Sequence, residues 1–327
     1  MSPRLLLFAA AFFTLAAQNL PPVATFSIVA RDPANGDLGV AVASRYFSVG
    51  SVVPWAEAGI GAVATQANVN VGYGPRGIDL LKQGLSAKEV LDKLLADDKF
   101  DGKDGRQIAV VDAQGRIAAF TGPKAPNWAG DRQGKTWSAQ GNILVGSQVP
   151  EAMGKAFDAT AGELAEKLFA ALKAGDDAGG DSRGKQSASI LVVRKQGGRN
   201  TNNDRYVYIN VDDNPTPMVE LRRLLDLNLG YLYQDQTFKR IGSGDFKSAR
   251  DAAAGAARYM PNRPEIYLIL GLLEYTAGNK PAALAAFRSG SKLDPKFRQR
   301  LEASAKIRPQ FQPLLDDTAF LKEVFSE

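Results

Sequence analysis

The chain has 327 residues, 45% of them apolar and 23% charged, a globular composition with room for two domains. Its net charge of +5 is carried by scattered Lys and Arg, so nucleic-acid binding is not expected. It has no His and no Cys, which excludes Ser-His-Asp and Cys-His catalysis, His or thiolate metal sites, and disulfides.

The N-terminus reads "MSPRLLLFAAAFFTLAAQNLPPVA". Arg4 supplies a positive start, and residues 5–17 form an apolar run. That run is shorter than the ~20 residues a bilayer span needs, and small residues follow it. Residues 1–24 are therefore expected to be a cleavable secretory signal, with a periplasmic or secreted bacterial product. No Cys follows the run, so no lipoprotein or other stable membrane anchor is expected.

Residues 25–31 and 38–44 read as strands joined by "DPANGD", whose Pro33 and Asn35-Gly36 are turn chemistry. "SVVPWAEAG" and "IGAVATQANV" give a second strand pair. "PRGIDLLKQG" starts a helix at Pro75, and "SAKEVLDKLLADD" starts another with a capping box at Ser86 and Glu89. "RQIAVVDAQGRIAAFTG" is a hairpin turning at residues 112–115, and "TWSAQGNILVG" is a further strand. "PEAMGKAFDAT" and "AGELAEKLFAALKAG" are amphipathic helices, followed by strands "SASILVVRKQ" and "RYVYINVDD". Hairpin turns dominate and βαβ alternation is missing. The expected fold is α+β, a four-layer αββα sandwich over residues 25–217 rather than a doubly wound sheet.

Residues 218–327 turn helical and contain an internal repeat. "GDFKSARDAAAGAARYMPNRP" matches "GNKPAALAAFRSGSKLDPKF", with Gly244, Ala249 and Pro261 mapping to Gly278, Ala283 and Pro295. Tyr267, Leu270, Gly271, Ala283, Phe287 and Pro295 fall on tetratricopeptide spacing, with departures at Glu274 and Gly290. A free-standing array needs at least ~3 repeats, so this segment should lean on flanking helices and the front domain. It offers a surface for a protein or cell-envelope partner.

The opening hairpin puts Thr25 opposite residues 44–46, at a sheet end beside Ser44 and Arg45. If the chain were cut before Thr25, its hydroxyl and a new α-amine would lie together. An α-amine has pKa ~7.7–8.0 and can take the proton from its own residue's hydroxyl, so Thr25 would be nucleophile and base in one residue. That chemistry requires neither His nor Cys.

The run "TFSIVARDPANGDLGVAVASR", with "VGSVVPWAEAGIGAVATQANVN", "RQIAVVD", "GNILVG", "GGDSRGKQSASILVV" and "VDDNPTPMVELRRLL", resembles a bacterial family, domain of unknown function 1028, in the N-terminal-nucleophile hydrolase fold group. The resemblance covers residues 25–225. It implies an αββα sandwich, amide-bond hydrolysis, and exposure of the threonine corresponding to Thr25; it supplies no substrate. Some relatives carry a C-terminal module proposed to bind peptidoglycan, and here the helical repeat takes that place. Asn214 stands where relatives commonly have His. Proteasome-type members of the fold group use a Lys beside the nucleophile, but this chain has none between Asp32 and Leu81. Arg45 holds its proton too firmly to be a base, so its expected role is electrostatic and the amine must be the base.

Gln66 and Asn68 in "ATQANVN" are candidate oxyanion donors. Asp181 and Arg183 in "GGDSRGKQSAS" are candidates for orienting the nucleophile or binding a carboxylate, with Asn142 in "GNILVG" a further candidate of that kind. Asp176, Asp177 and Asp181 lack the ligand alternation of a calcium loop. "GYGPRG" is formally a dinucleotide pattern, but Pro75 removes a needed amide and the βαβ context is missing. No metal or cofactor is expected. The sequence thus points to an exported amidohydrolase cleaving a small amide or peptide-like substrate. The alternative is a non-catalytic ligand- or envelope-binding protein of the same fold that keeps the chain before Thr25.

Overall fold

The computed structural model describes residues 25–126, 128–200 and 202–326. The expected leader, residues 1–24, lies outside them. The fold is mixed α+β, with two antiparallel sheets and a C-terminal helical segment.

The first sheet contains β1 (Thr25–Arg31), β2 (Leu38–Ser44), β7 (Gly130–Gln133), β8 (Trp137–Asn142), β9 (Ser187–Val193) and β10 (Arg205–Val211), in the order β10-β9-β2-β1-β8-β7. The second contains β3 (Pro54–Glu57), β4 (Gly61–Ala67), β5 (Arg106–Asp112) and β6 (Ile117–Thr121), in chain order. β1 is therefore an interior strand, paired with β2 and β8. β7 has no counterpart in the sequence reading. "GDRQ" is a short, polar edge strand with no hydrophobic alternation to announce it.

Alternation along β1 sends its side chains to two different environments. Phe26, Ile28 and Ala30 pack against α3 (Gln148–Ala159) and α4 (Leu164–Asp177). Val29 joins Val40 and Val42 of β2 against Ala62, Ala64, Ala109 and Val111 of the second sheet. On that sheet's other face, Val63, Ile108 and Val110 meet α1 (Tyr73–Lys82) and α2 (Ala87–Asp97). Ser86 and Glu89 form the expected reciprocal cap of α2. α1 starts at Tyr73, ahead of Pro75. A proline is tolerated there because first-turn N–H groups have no intrahelical acceptor.

The long helix α5 (Pro217–Gly242) places Leu221, Leu225, Leu229 and Leu232 in the same apolar cluster as α3, α4 and β10. α6 (Phe246–Tyr259), α7 (Pro264–Thr276), α8 (Lys280–Leu293), α9 (Phe297–Lys306), α10 (Pro313–Asp316) and α11 (Thr318–Phe325) follow. They enclose a second core around Phe287, Phe297, Phe311 and Phe320. The internal repeat reappears as identical helix ends. Gly244 and Gly278 have φ of 76° and 78°. Each donates to the carbonyl three residues back, while the next residue donates five back, Asp245 to Arg240 and Asn279 to Glu274. This is the Schellman arrangement, which glycine enters without a Cβ penalty.

Candidate active site

The loops at one end of the sheets gather around the start of β1, because antiparallel neighbours β2, β8 and β10 end where β1 and β9 begin. Thr25 pairs with Ser44 on one side and Asn142 on the other. It is fully buried, and its hydroxyl donates to Ser44 Oγ at 3.2 Å. The register expected from the turn is the one observed.

Between the sheets, next to Thr25, lies a seam of neutral polar side chains. Ser27 Oγ donates to Gln66 Oε1 at 2.6 Å and accepts from Gln140 Nε2 at 2.7 Å. Ser138 donates to Gln140 Oε1 at 3.0 Å. Gln66 Nε2 donates to Gln107 Oε1 at 2.8 Å and approaches the Thr25 carbonyl at 3.5 Å. Gln107 Nε2 reaches Thr121 Oγ1 and the Gly141 carbonyl, each at 2.9 Å. Buried amides are costly to leave unpaired, and the dense mutual pairing stabilises this seam. The sequence reading missed Ser27, Gln107 and Gln140. Their signal was polar residues spaced by two on otherwise apolar strands, as in Thr25/Ser27 and Ser138/Gln140/Asn142.

The candidate donors divide. Gln66 reaches Thr25, but its amide hydrogens are directed at Gln107 and the Thr25 carbonyl, so it positions the strand rather than facing an oxyanion. Asn68 does not join it. Ala67 adopts φ 65°, and Asn68 Nδ2 donates to Gly102 O at 3.2 Å. Arg106 donates to the Asn68 carbonyl and is itself held by Asp98 at 2.9 Å. Burial pushes the Asp98 carboxyl upward, but hydrogen bonds from Tyr73, the Phe100 N–H and Arg106 outweigh it and hold the group below its ordinary value. Asn142 is in the seam, directing its NH2 to Gln107 Oε1 at 3.1 Å.

Asp181 closes the same end. Its carboxylate accepts the Arg45 backbone N–H at 2.8 Å and the Arg183 N–H at 2.9 Å, and pairs with the Arg183 guanidinium at 3.0 Å. The guanidinium of Arg45 donates outward to Lys185 O at 3.0 Å. Asp181 thus joins the loops after β2 and before β9, one residue beyond Ser44. Asn214 belongs to this cluster by backbone: its N–H donates to Gln186 O at 2.7 Å, while Gln186 N–H donates to Ser44 O at 3.1 Å. A cavity of about 170 Å³ lies elsewhere, beside Pro54, Ala56, Leu191, Val193 and Tyr208, and none of the candidate residues lines it. Among the described residues, no His/Cys/Asp/Glu group is arranged to hold a metal ion, and no helix is long and apolar enough to cross a membrane.

A two-sheet α+β protein whose first interior strand opens on a buried threonine, beside a neutral amide seam, defines the class. The model of a family of unknown function, DUF1028, matches residues 25–221. Among solved structures, protein SPO2555 from Silicibacter pomeroyi, of the same family model, is 30% identical with a TM-score of 0.56. The match covers 62% of this chain and 88% of that one. A comparison with curated proteins finds no match. The chain belongs to the DUF1028 family.

Proposed function

We propose that the protein is an exported N-terminal-nucleophile amidohydrolase acting on a small amide or peptide-like substrate. Loss of residues 1–24 bares Thr25. Its α-amine takes the Oγ1 proton as the oxygen attacks the amide carbon, then gives that proton to the leaving amine. The resulting Thr25 ester is hydrolysed by water, with the same amine as base. Residues 25–217 form the catalytic domain, read as the αββα sandwich of that fold group, with helices against the outer face of each sheet. Residues 218–327 form a tetratricopeptide-like module for a protein or envelope partner. Arg45 and Arg183 give the rim a positive field that favours a substrate carboxylate.

The observation that carries this reading is the placement of Thr25. It stands where the ladder ends, opposite Ser44 and Asn142, the last residues of β2 and β8, hydroxyl to hydroxyl with Ser44, and Gln66, which reaches its carbonyl from the second sheet, cannot act as a base. Intact-mass analysis and hydrolysis of a panel of small amides test it. The mature chain should begin at Thr25, with activity rising through about pH 7–8 as the amine loses its proton. Thr25→Ser should retain partial activity, and Thr25→Ala should have almost none while melting normally. Full activity from chains that keep Ala24 would overturn the mechanism; ligand binding by such chains without turnover would mark a binding protein.

A further inference from the structure

The hydrogen bonds of the seam fix which way each amide faces. Gln107 Nε2 lies against two backbone carbonyls, Gly141 O at 2.9 Å and Gly130 O at 3.3 Å. Carbonyls only accept, so this end is the NH2 and the other is the oxygen. Gln107 Oε1 then receives N–H from both Gln66 and Asn142. Asn142 must therefore present its own NH2 to Gln107, since turning it over would set oxygen against oxygen. Its Oδ1 is left on the other branch, buried and without a hydrogen-bond partner among the described residues. An unpaired buried acceptor costs ~1–3 kcal/mol.

Asn142 stands directly opposite Thr25 in the β1–β8 ladder, and both side chains lie on the face that looks toward the second sheet. Directly opposed residues have Cβ atoms ~4.5–5.5 Å apart, within reach of one side chain's oxygen for the other's amine or hydroxyl. We propose that Asn142 positions the Thr25 α-amine, its Oδ1 accepting an N–H of that amine once Thr25 is the first residue. This rests on the reading of Thr25 as an N-terminal nucleophile. Engaging one amine hydrogen turns the lone pair toward Oγ1. An amide oxygen is also uncharged, so it orients the amine without holding an extra proton on it as a carboxylate would.

The charged groups facing this end are Asp181 and Arg183 from the loop before β9, and Arg45 after β2. The second sheet faces it with neutral Gln66 and Gln107, and Asp131 of β7 reaches the seam only through Thr121 at 3.5 Å. All are unchanged in the variants that follow. Mature protein is labelled with trace acetic anhydride from pH 5 to 10, and acetylation of the Thr25 amine is followed by mass spectrometry. In Asn142→Asp the carboxylate should hold the amine protonated, and labelling at pH 7 should fall about tenfold. In Asn142→Leu the acceptor is gone and labelling at pH 7 should rise. Circular dichroism establishes that each variant folds; if the Asp variant does not, the Leu variant decides alone. A mature chain that begins elsewhere overturns the Thr25 reading and this inference with it. A chain that begins at Thr25 but labels alike in all folded variants overturns this inference alone.

Discussion

Gln107 shows what a single residue holds at this site. It donates to a hydroxyl and two carbonyls, and its oxygen gathers Gln66 and Asn142. Gln107→Leu would leave several buried groups unpaired at once, and should cost about 3 kcal/mol, read as a lowered urea midpoint. The pairing of Thr25 with Ser44 and the loop that carries Asp181 were legible in the sequence because a hairpin register and a Gly-rich loop are local features. Gln107 was not, because its partners come from β4, β6 and β8, and no local pattern encodes that convergence. Where Asn68 sits was not legible for a related reason: the positive φ of Ala67 and the hold of Arg106 and Asp98 on its carbonyl accompany a side chain directed to Gly102.

At the scale of elements, the helix ends were readable and the junctions between elements were not. The Ser86–Glu89 cap follows from four consecutive residues, whereas Glu163, an unremarkable glutamate in sequence, links the start of α4 to β10 and α5 beside the Arg222–Glu166 pair. Tyr206 and Tyr233 both donate to Glu163 at 2.5 Å. Burial, reinforced by Glu163, pushes both phenols up from their ordinary value. Glu163→Ala strips two tyrosines of their acceptor and should cost about 2 kcal/mol or more, seen as a lower Tm at neutral pH. In the helical segment, burial and the Asp317 carboxylate push Tyr275 up to about 12. A raised tyrosine adds stability that is complete below its unfolded value of ~10 and is lost as pH rises through the folded one. Tyr275→Phe removes that titration, so its stability, followed by circular dichroism, should fall less steeply between pH 10 and 12 than that of the parent.

For the whole molecule, α5 ties the two cores together. The sequence change near residue 218 marks where helix begins, yet Leu229 and Leu232 still pack with α3, α4 and β10. A chain ending at Leu225 loses both, at ~1.5–3 kcal/mol for each buried leucine. A chain ending at Ser243 keeps them. The longer one should unfold at distinctly higher urea, and it should keep the proposed amide hydrolysis, while the proposed partner binding should be lost from both. Periodicity and turn chemistry made the order of strands and helices legible, except for the polar β7. They could not assign α5 to the front core, because that depends on which surface the helix meets.

The fixed facing of every amide in the seam has an evolutionary consequence. Replacing Gln107 by Glu would put an oxygen against the Gly141 carbonyl, and reversing Asn142 would oppose it to Gln107. Neither exchange leaves the rest paired. Positions 27, 66, 107, 140 and 142 should therefore change in concert across relatives, as one inherited block. Residues of the exposed loops nearby should vary one at a time.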